Sequence, residues 1–189
     1  MGERYTVRAK VFDIAPQFYI RDASGQTVGY CRQKLLRFRE EVILYTDQSK
    51  KAELLRINAR NIIDFSATYD VKLPNGTPIG SLRRKGLKST FIKDEYLVFD
   101  GGENQIATLS EDSAWRGMLR RANDLAATVF PQKFHLRDDA GADIATFRQH
   151  FNPLVYKLSI AVHREDERLD DLMLISTGVL LAAIEGRQR

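Results

Sequence analysis

The sequence contains a single cysteine, Cys31, so no disulfide bond can form within the chain, which is typical of proteins from a reducing compartment. Residues 1–10 include no apolar run, and no signal peptide is expected. One charge-free apolar stretch, residues 172–184, is too short to span a bilayer. The content of hydrophobic residues, 43%, is still sufficient for a core, which argues against a disordered chain. The sequence therefore predicts a single globular domain over residues 1–189, located in the cytoplasm.

The sequence also lacks a recognisable catalytic or metal-binding constellation. Its three histidines, His135, His150 and His163, show neither the HxH nor the HExxH spacing of metal sites. No serine stands in a G-x-S-x-G motif, and no glycine-rich loop leads into a helix. Three other segments of the chain resemble the one that contains Cys31, and they have Leu82, Leu109 and Phe147 at its position. This favours a thiol in the core over a nucleophile. We therefore predict no catalytic residue, no metal and no cofactor.

Charge is unevenly distributed along the chain, whose formal net charge is +4. Lysine and arginine outnumber aspartate and glutamate by 18 to 11 in residues 1–99, and are outnumbered 11 to 14 in residues 100–189. A basic first half indicates an anionic partner, although a modest charge of either sign also keeps ordinary proteins soluble.

A hairpin-like pattern occurs four times, in residues 18–33, 69–84, 96–111 and 134–149. Each copy has an aromatic residue, an aliphatic residue two positions on, a turn, and then valine or isoleucine followed by a small residue. Residues two apart share one face of a strand, so each copy predicts a β-hairpin. In the outer two copies an aspartate opens the turn and a glycine closes it, which is typical of a turn with a left-handed last residue. The third copy has Glu103 in place of that glycine, and its turn is predicted to differ by one residue.

The second half of each copy predicts the two faces of the sheet. A small and a larger apolar residue two positions apart are expected to face the core, where the small one lets a bulky group approach the strand. These pairs are Gly29 and Cys31, Gly80 and Leu82, Ala107 and Leu109, and Ala145 and Phe147. The opposite parity carries Arg32, Arg83 and Arg148, with Ser110 in the third copy, and is expected to face solvent.

Further segments complete the prediction of a mainly β fold. Alternating patterns at residues 5–12, 42–47, 53–57 and 155–162 raise the total to about a dozen strands, enough for a sheet to close on itself. Residues 113–129 have the spacing of an amphipathic helix, which we place on the barrel surface. Residues 172–184 are apolar on all sides and offer no polar face to water. We therefore predict a closed antiparallel barrel around this buried C-terminal hydrophobic helix, plus the one amphipathic surface helix.

Hairpins of the form aromatic-x-aliphatic-x-Asp-x-x-Gly-x-x-Ile-Gly, followed by a charge-free C-terminal helix, resemble the Tubby C-terminal-like superfamily. Within it, the chain looks most similar to the LURP-one-related and phospholipid-scramblase-like proteins, over residues 5–185. The resemblance implies a barrel around a central helix. It also implies contact with membranes, because tubby-like members bind phosphoinositides and scramblase members act at bilayers. The sequence lacks the proline-rich extension, cysteine cluster and calcium loop of animal scramblases, so lipid scrambling is not implied.

Two basic segments are the candidate binding sites. The first consists of Arg83, Arg84, Lys85 and Lys88. The second consists of Lys34, Arg37 and Arg39. Arginine can hold phosphate oxygens through paired hydrogen bonds and lysine can attract them as a point charge. The alternative interpretation is that both segments are the solvated rim of a barrel.

The leading hypothesis is a non-enzymatic binding module for an anionic ligand, with phospholipid headgroups at a cytoplasmic membrane surface as the expected ligand. The alternative is a protein-interaction or scaffold domain that binds no lipid. An enzyme is the least supported function. Nucleic acid is a disfavoured partner because few aromatic residues lie among the basic ones. No oligomeric state is predicted.

Overall fold

The computed structural model describes residues 2–10, 17–32, 41–61, 67–85, 95–112, 132–150, 152 and 154–185. The predicted surface helix at residues 113–129 lies outside this part of the chain. The strands are β1 (Glu3–Lys10), β2 (Gln17–Asp22), β3 (Thr27–Arg32), β4 (Val42–Tyr45), β5 (Glu53–Asn61), β6 (Thr68–Lys72), β7 (Pro78–Arg84), β8 (Glu95–Asp100), β9 (Gln105–Glu111), β10 (Lys133–Arg137), β11 (Asp143–His150) and β12 (Val155–Val162). They are followed by one helix, α1 (Asp171–Glu185).

The twelve strands form a closed antiparallel barrel. Each strand pairs with its neighbour in sequence, and β1 pairs with β12, from Glu3 opposite Ala161 to Lys10 opposite Val155. Closure leaves no unpaired sheet edge in the ring. The predicted fold class, a closed barrel of about a dozen strands with a C-terminal helix, is confirmed.

The turns of the four repeated hairpins share one hydrogen-bond pattern, including the turn that we expected to differ. In the first copy the amide of Gly25 donates to the carbonyl of Asp22 over 3.0 Å, and Gly25 has a φ of 86°. In the third copy the amide of Glu103 donates to the carbonyl of Asp100 over 3.1 Å, and Glu103 itself adopts a φ of 63°. The prediction of a different turn length was therefore wrong. The Asp100 carboxylate closes the turn by accepting hydrogen bonds from the amides of Gly102 and Asn104, both over 2.9 Å.

Each hairpin also contains a β-bulge directly after its turn. In the first copy, Arg21 pairs with Thr27 and Ile20 pairs with Gly29, which leaves Val28 without an opposing residue. The same irregularity occurs in all five hairpins, and the extra residues are Val28, Leu54, Ile79, Ile106 and Ile144. Bulges bend a strand and increase its twist, which a small barrel needs in order to close. The repeated valine or isoleucine of the sequence therefore marks a bulge.

The two faces of the barrel follow the predicted parity. Cys31, Leu82 and Phe147 are each at most 2% exposed and belong to the core. Arg32, Arg83 and Arg148 are exposed on the outer face. Since a shift of one residue would exchange the faces, the register of these strands is confirmed as predicted.

The helix α1 runs through the interior of the barrel. It contacts β1 and β12 on one wall and β7 on the opposite wall, six places around the ring. Every side chain of residues 173–183 is buried. The two hydroxyls inside the helix are satisfied locally, because Ser176 donates to the carbonyl of Leu172 over 2.7 Å and Thr177 donates to that of Met173 over 2.8 Å. The predicted central helix is confirmed.

Glycine permits close contact between α1 and the wall at two positions. A Cβ atom at Gly80 would lie 2.8 Å from the sulfur of Met173 and 2.5 Å from the carbonyl oxygen of Phe99. A Cβ atom at Gly178 would lie 2.8 Å from Cδ1 of Ile160. The expectation that small residues give the helix room therefore holds at Gly80. At Gly29 the nearest atoms belong instead to Ile20 of the adjacent strand.

The first turn of α1 is fixed by polar contacts with β1. The Asp170 carboxylate accepts a hydrogen bond from the amide of Leu172 over 2.7 Å and caps the helix. Asp171 accepts hydrogen bonds from the Arg4 guanidinium over 2.9 Å and from the Tyr5 hydroxyl over 2.8 Å. Arg4 also pairs with Glu165 in the segment before the helix. Burial, followed by the bond to Asp171, raises the pKa of Tyr5 to about 12.

Candidate functional site

The two ends of the barrel differ in construction and in charge. All five hairpin turns and the start of α1 lie at one end, which we call the turn end; the other is the far end. Acidic residues concentrate at the turn end: Asp22, Asp47, Asp100, Asp138, Glu165, Asp166, Asp170 and Asp171. Basic residues concentrate toward the far end: Arg8, Arg32, Arg83, Arg84, Lys85, Lys133, Arg148 and Lys157. Among the described residues, the acids of the far end are Glu41, Glu95, Glu111 and Asp112.

The described part of the first candidate site does not form one surface. Arg83 is exposed on the outer face, with its guanidinium carbon 4.7 Å from the centre of the Phe99 ring. Arg84 lies on the inner face, where it pairs across the sheet with the buried Tyr96. Lys85 is exposed, and its Nζ lies 3.2 Å from Oε1 of Glu95. Because successive strand residues point to opposite faces, adjacent charges in the sequence are separated here.

The remaining candidate residues, Lys88 of the first site and Lys34, Arg37 and Arg39 of the second, lie outside the described residues. Residues 86–94 follow β7, which ends at Arg84, and residues 33–40 follow β3, which ends at Arg32. The two strands are four places apart in the barrel.

A basic surface that sequence reasoning missed lies on the outside of four adjacent strands. Lys133 of β10 pairs directly with Arg148 of β11, and Lys157 of β12 pairs directly with Arg8 of β1. Ser159 pairs with Arg148 and lies two residues from Lys157 on the same face of β12. We call this surface the β10–β1 basic face, made of Arg8, Lys133, Arg148 and Lys157. The parity of each strand was readable from the sequence, but the register between β12 and β1 was not.

The histidine nearest to the β10–β1 basic face does not form a catalytic triad. The Nε2 atom of His150 lies 2.8 Å from the hydroxyl of Ser159 and 3.6 Å from a carboxylate oxygen of Glu3. In a triad the carboxylate contacts the other ring nitrogen, Nδ1, and so orients the ring toward the serine. Ser159 is also only 4% exposed. Burial lowers the pKa of His150, and the nearby Lys157 acts in the same direction, so this ring is neutral at pH 7.

A second histidine lies between two carboxylates on the outer face. Nδ1 of His135 is 3.2 Å from Asp143, and Nε2 is 3.5 Å from Asp112. Within the described ranges, no group of three or more histidine, cysteine, aspartate or glutamate residues has the arrangement needed to hold a metal ion. The contacts of His135 therefore describe a polar cluster on the outer face of the sheet.

A polar groove of about 240 Å³ lies on the outer surface close to the turn end. Its main charges neutralise each other, because Arg60 contacts both Asp70 and Glu103 over 2.7 Å. Lys72, which also lines the groove, makes no ion pair with any described residue. Inside the barrel, a void beside Thr177 and Tyr96 has a volume of only about 10 Å³, too small for a ligand.

Cys31 has the properties of a core residue, as predicted. It is 2% exposed, and burial raises the pKa of its thiol to about 12. A thiol with so high a pKa carries almost no thiolate at pH 7, and the thiolate is the nucleophilic form. Cys31 is therefore not available as a nucleophile in the folded protein.

The comparisons with known proteins support the fold. No protein-family model and no curated protein sequence matches the chain. A protein from Arabidopsis thaliana, solved by X-ray crystallography, has a similar structure, with a TM-score of 0.51 and 14% sequence identity. The similarity covers 97% of this chain and 93% of the Arabidopsis chain. No helix in the part of the chain that the structure describes is long and apolar enough to cross a membrane. The chain thus shares its barrel architecture, over nearly its full length, with the Arabidopsis protein.

Proposed function

We propose that this protein is a non-enzymatic binding module for anionic ligands, and that its ligands are phospholipid headgroups at a cytoplasmic membrane surface. Within this proposal, the chain is a LURP-one-related member of the Tubby C-terminal-like superfamily. The barrel shared with the Arabidopsis protein is compatible with that assignment, although a likeness at 14% identity carries information on the fold alone.

The observation that carries the proposal is the separation of charge along the barrel. Acids outnumber bases at the turn end, although cations such as Arg21, Lys50 and Lys51 lie there too, and bases outnumber acids at the far end. A molecule with such an imbalance is attracted to an anionic surface in one orientation. The basic end meets the surface and the acidic end points away from it. Several of the turn-end cations are already engaged by acids, as in the pairs of Arg164 with Asp138 over 2.5 Å and Arg168 with Asp166 over 2.8 Å.

Sedimentation with phospholipid vesicles tests the proposal. The protein should bind vesicles that contain phosphatidylserine and should ignore vesicles of phosphatidylcholine alone. Each lysine or arginine close to an anionic surface contributes on the order of 1 kcal/mol. Binding should weaken as added salt reduces the screening length below about 10 Å. The proposal fails if no binding to anionic vesicles occurs at low salt, and the scaffold role then becomes the better explanation.

The predicted site can be tested in the same assay. The first candidate site is tested by a variant with glutamine at all four of its positions, Arg83, Arg84, Lys85 and Lys88. The matching test of the second site changes Lys34, Arg37 and Arg39. If either site supplies the contacts, its variant should lose roughly tenfold or more in vesicle affinity. Retained affinity in both variants would mean that neither site contacts the membrane, while the proposed function itself would stand.

A further inference from the structure

Three of the four cations of the β10–β1 basic face are not neutralised by any carboxylate of the described chain. Arg8, Lys133 and Arg148 make no ion pair with any residue in the described ranges. Lys157 approaches one carboxylate, that of Glu3, at 4.0 Å, and its side chain is 35% exposed. By contrast, Arg60 of β5 is paired with both Asp70 and Glu103.

The arrangement of these charges is unfavourable for the isolated protein. Two of the cross-strand pairs place like charges directly opposite each other, Lys133 with Arg148 and Arg8 with Lys157. Such pairs destabilise an antiparallel sheet. An anion bound above the pairs would cancel the repulsion, since phosphate oxygens accept hydrogen bonds from both arginine and lysine. Lys133 and Arg148 lie side by side in one row across the sheet, and Lys157 and Arg8 lie side by side in a second row. The two rows are two residues apart along β12, so all four cations face the same surface.

An exposed apolar side chain stands at the end of the same four strands. Leu154 immediately precedes β12 and is 65% exposed, which makes it the one large hydrophobic residue exposed among those that the structure describes. Its position is fixed, because the Asn152 side chain accepts hydrogen bonds from the amides of Leu154 and Val155 over 2.9 and 3.0 Å. A fixed apolar residue beside unpaired cations is suited to a surface that offers both phosphates and acyl chains.

We infer that the β10–β1 basic face, together with Leu154, is the surface through which the protein docks on anionic membranes. This inference rests on the proposed function and assigns it to residues that neither candidate sequence segment contains. The cations contact headgroup phosphates, and Leu154 enters the boundary between headgroups and acyl chains. In this orientation the barrel contacts the membrane through the β10–β1 basic face, near the far end.

The test compares two variants with equal charge changes. The first replaces Arg8, Lys133, Arg148 and Lys157 with glutamine. The control replaces Arg21, Lys50, Lys51 and Lys72, all toward the turn end, with glutamine. In sedimentation with phosphatidylserine vesicles at low salt, the first variant should lose roughly a hundredfold or more in affinity, and the control should lose much less. The first variant should melt at or above the temperature of the wild type, because the like-charge pairs are gone.

A third variant, Leu154→Asp, distinguishes a membrane from a soluble phosphate compound. It should weaken vesicle binding while leaving the affinity for inorganic tripolyphosphate, measured by calorimetry, unchanged. Vesicle binding that is unaffected by Leu154→Asp, or equal in the two glutamine variants, would overturn the docking surface while the proposed function survives. If the wild type binds tripolyphosphate but not vesicles, the inference and the membrane function both fail. If it binds neither, the anion-binding role fails with them.

Discussion

At the scale of single residues, Glu103 is the clearest departure from local preference. It adopts a left-handed backbone conformation, with a φ of 63°, at a position where other copies of the turn have Gly25 or Gly141. A side chain in that conformation costs about 1 kcal/mol. Glu103 also makes an ion pair with Arg60, but both side chains are exposed, at 65% and 41%, and such pairs contribute little. The turn therefore forms despite its sequence, through the carboxylate of Asp100.

We predict that Glu103→Gly stabilises the protein by about 0.5–1 kcal/mol, because glycine removes the backbone strain and the lost ion pair is weak. The measurement is the free energy of unfolding in urea. The control is Gly141→Glu, which introduces the same side chain at a φ of 82° and should destabilise by a similar amount. A stability loss in Glu103→Gly would show that the ion pair with Arg60 outweighs the strain.

At the scale of elements, strands and faces were predictable because their signal is local. The alternation that placed Cys31 and Leu82 inside and Arg32 and Arg83 outside needs only neighbours two residues apart. The bulge at Val28 was not predicted, since an extra residue is visible only against the partner strand. The turn at Glu103 was mispredicted for a related reason. The hydrogen bonds that the Asp100 carboxylate accepts set the shape of this turn. The sequence has Glu103 where the other copies have glycine, and that difference suggested a different turn.

The central helix is the element most sensitive to a buried charge. Val179 is 2% exposed and lies within the apolar interior. We predict that Val179→Asp prevents folding to a soluble barrel, because the carboxylate would be buried without a partner. The control, Val179→Ala, removes two methyl groups and should fold with a loss of about 2 kcal/mol. Soluble expression and circular dichroism check both outcomes. A folded Val179→Asp barrel with unchanged stability would contradict the interior position of α1.

The contact between Tyr5 of β1 and Asp171 of α1 should make the stability of the protein depend on pH in the alkaline range. The pKa of Tyr5 is raised from 10.0 to about 12, first by burial and then by the hydrogen bond to Asp171. Since the folded protein holds this proton more tightly than the unfolded chain, the contribution is fully present below pH 10 and is lost as the pH rises toward 12. In the Tyr5→Phe variant, the free energy of unfolding should not show this loss between pH 10 and 12. Urea unfolding of both proteins across that range should show their stabilities converging with rising pH; parallel curves would refute the assignment.

At the scale of the whole molecule, the candidate surfaces were predictable only in part. The sequence located basic segments at Arg83 and Lys85, and the structure places both at the far end, as exposed residues. It did not indicate the β10–β1 basic face. Arg8 and Lys157 are separated by most of the chain, and only the pairing that closes the barrel brings them together. A group of charges that forms only when β1 pairs with β12 cannot be recognised from the sequence of either strand alone.

The pairing of β1 with β12 also has a consequence for synthesis on the ribosome. The first strand to emerge has its partner on one side, β2, within reach early, but its other partner begins at Val155. Until that strand and α1 have been translated, the growing chain exposes two unpaired sheet edges and an apolar interior with nothing to fill it. Contacts between residues so far apart are slow to form. The barrel can therefore close only after its last element has left the exit tunnel, and until then the chain exposes the kind of surface on which unfolded proteins aggregate.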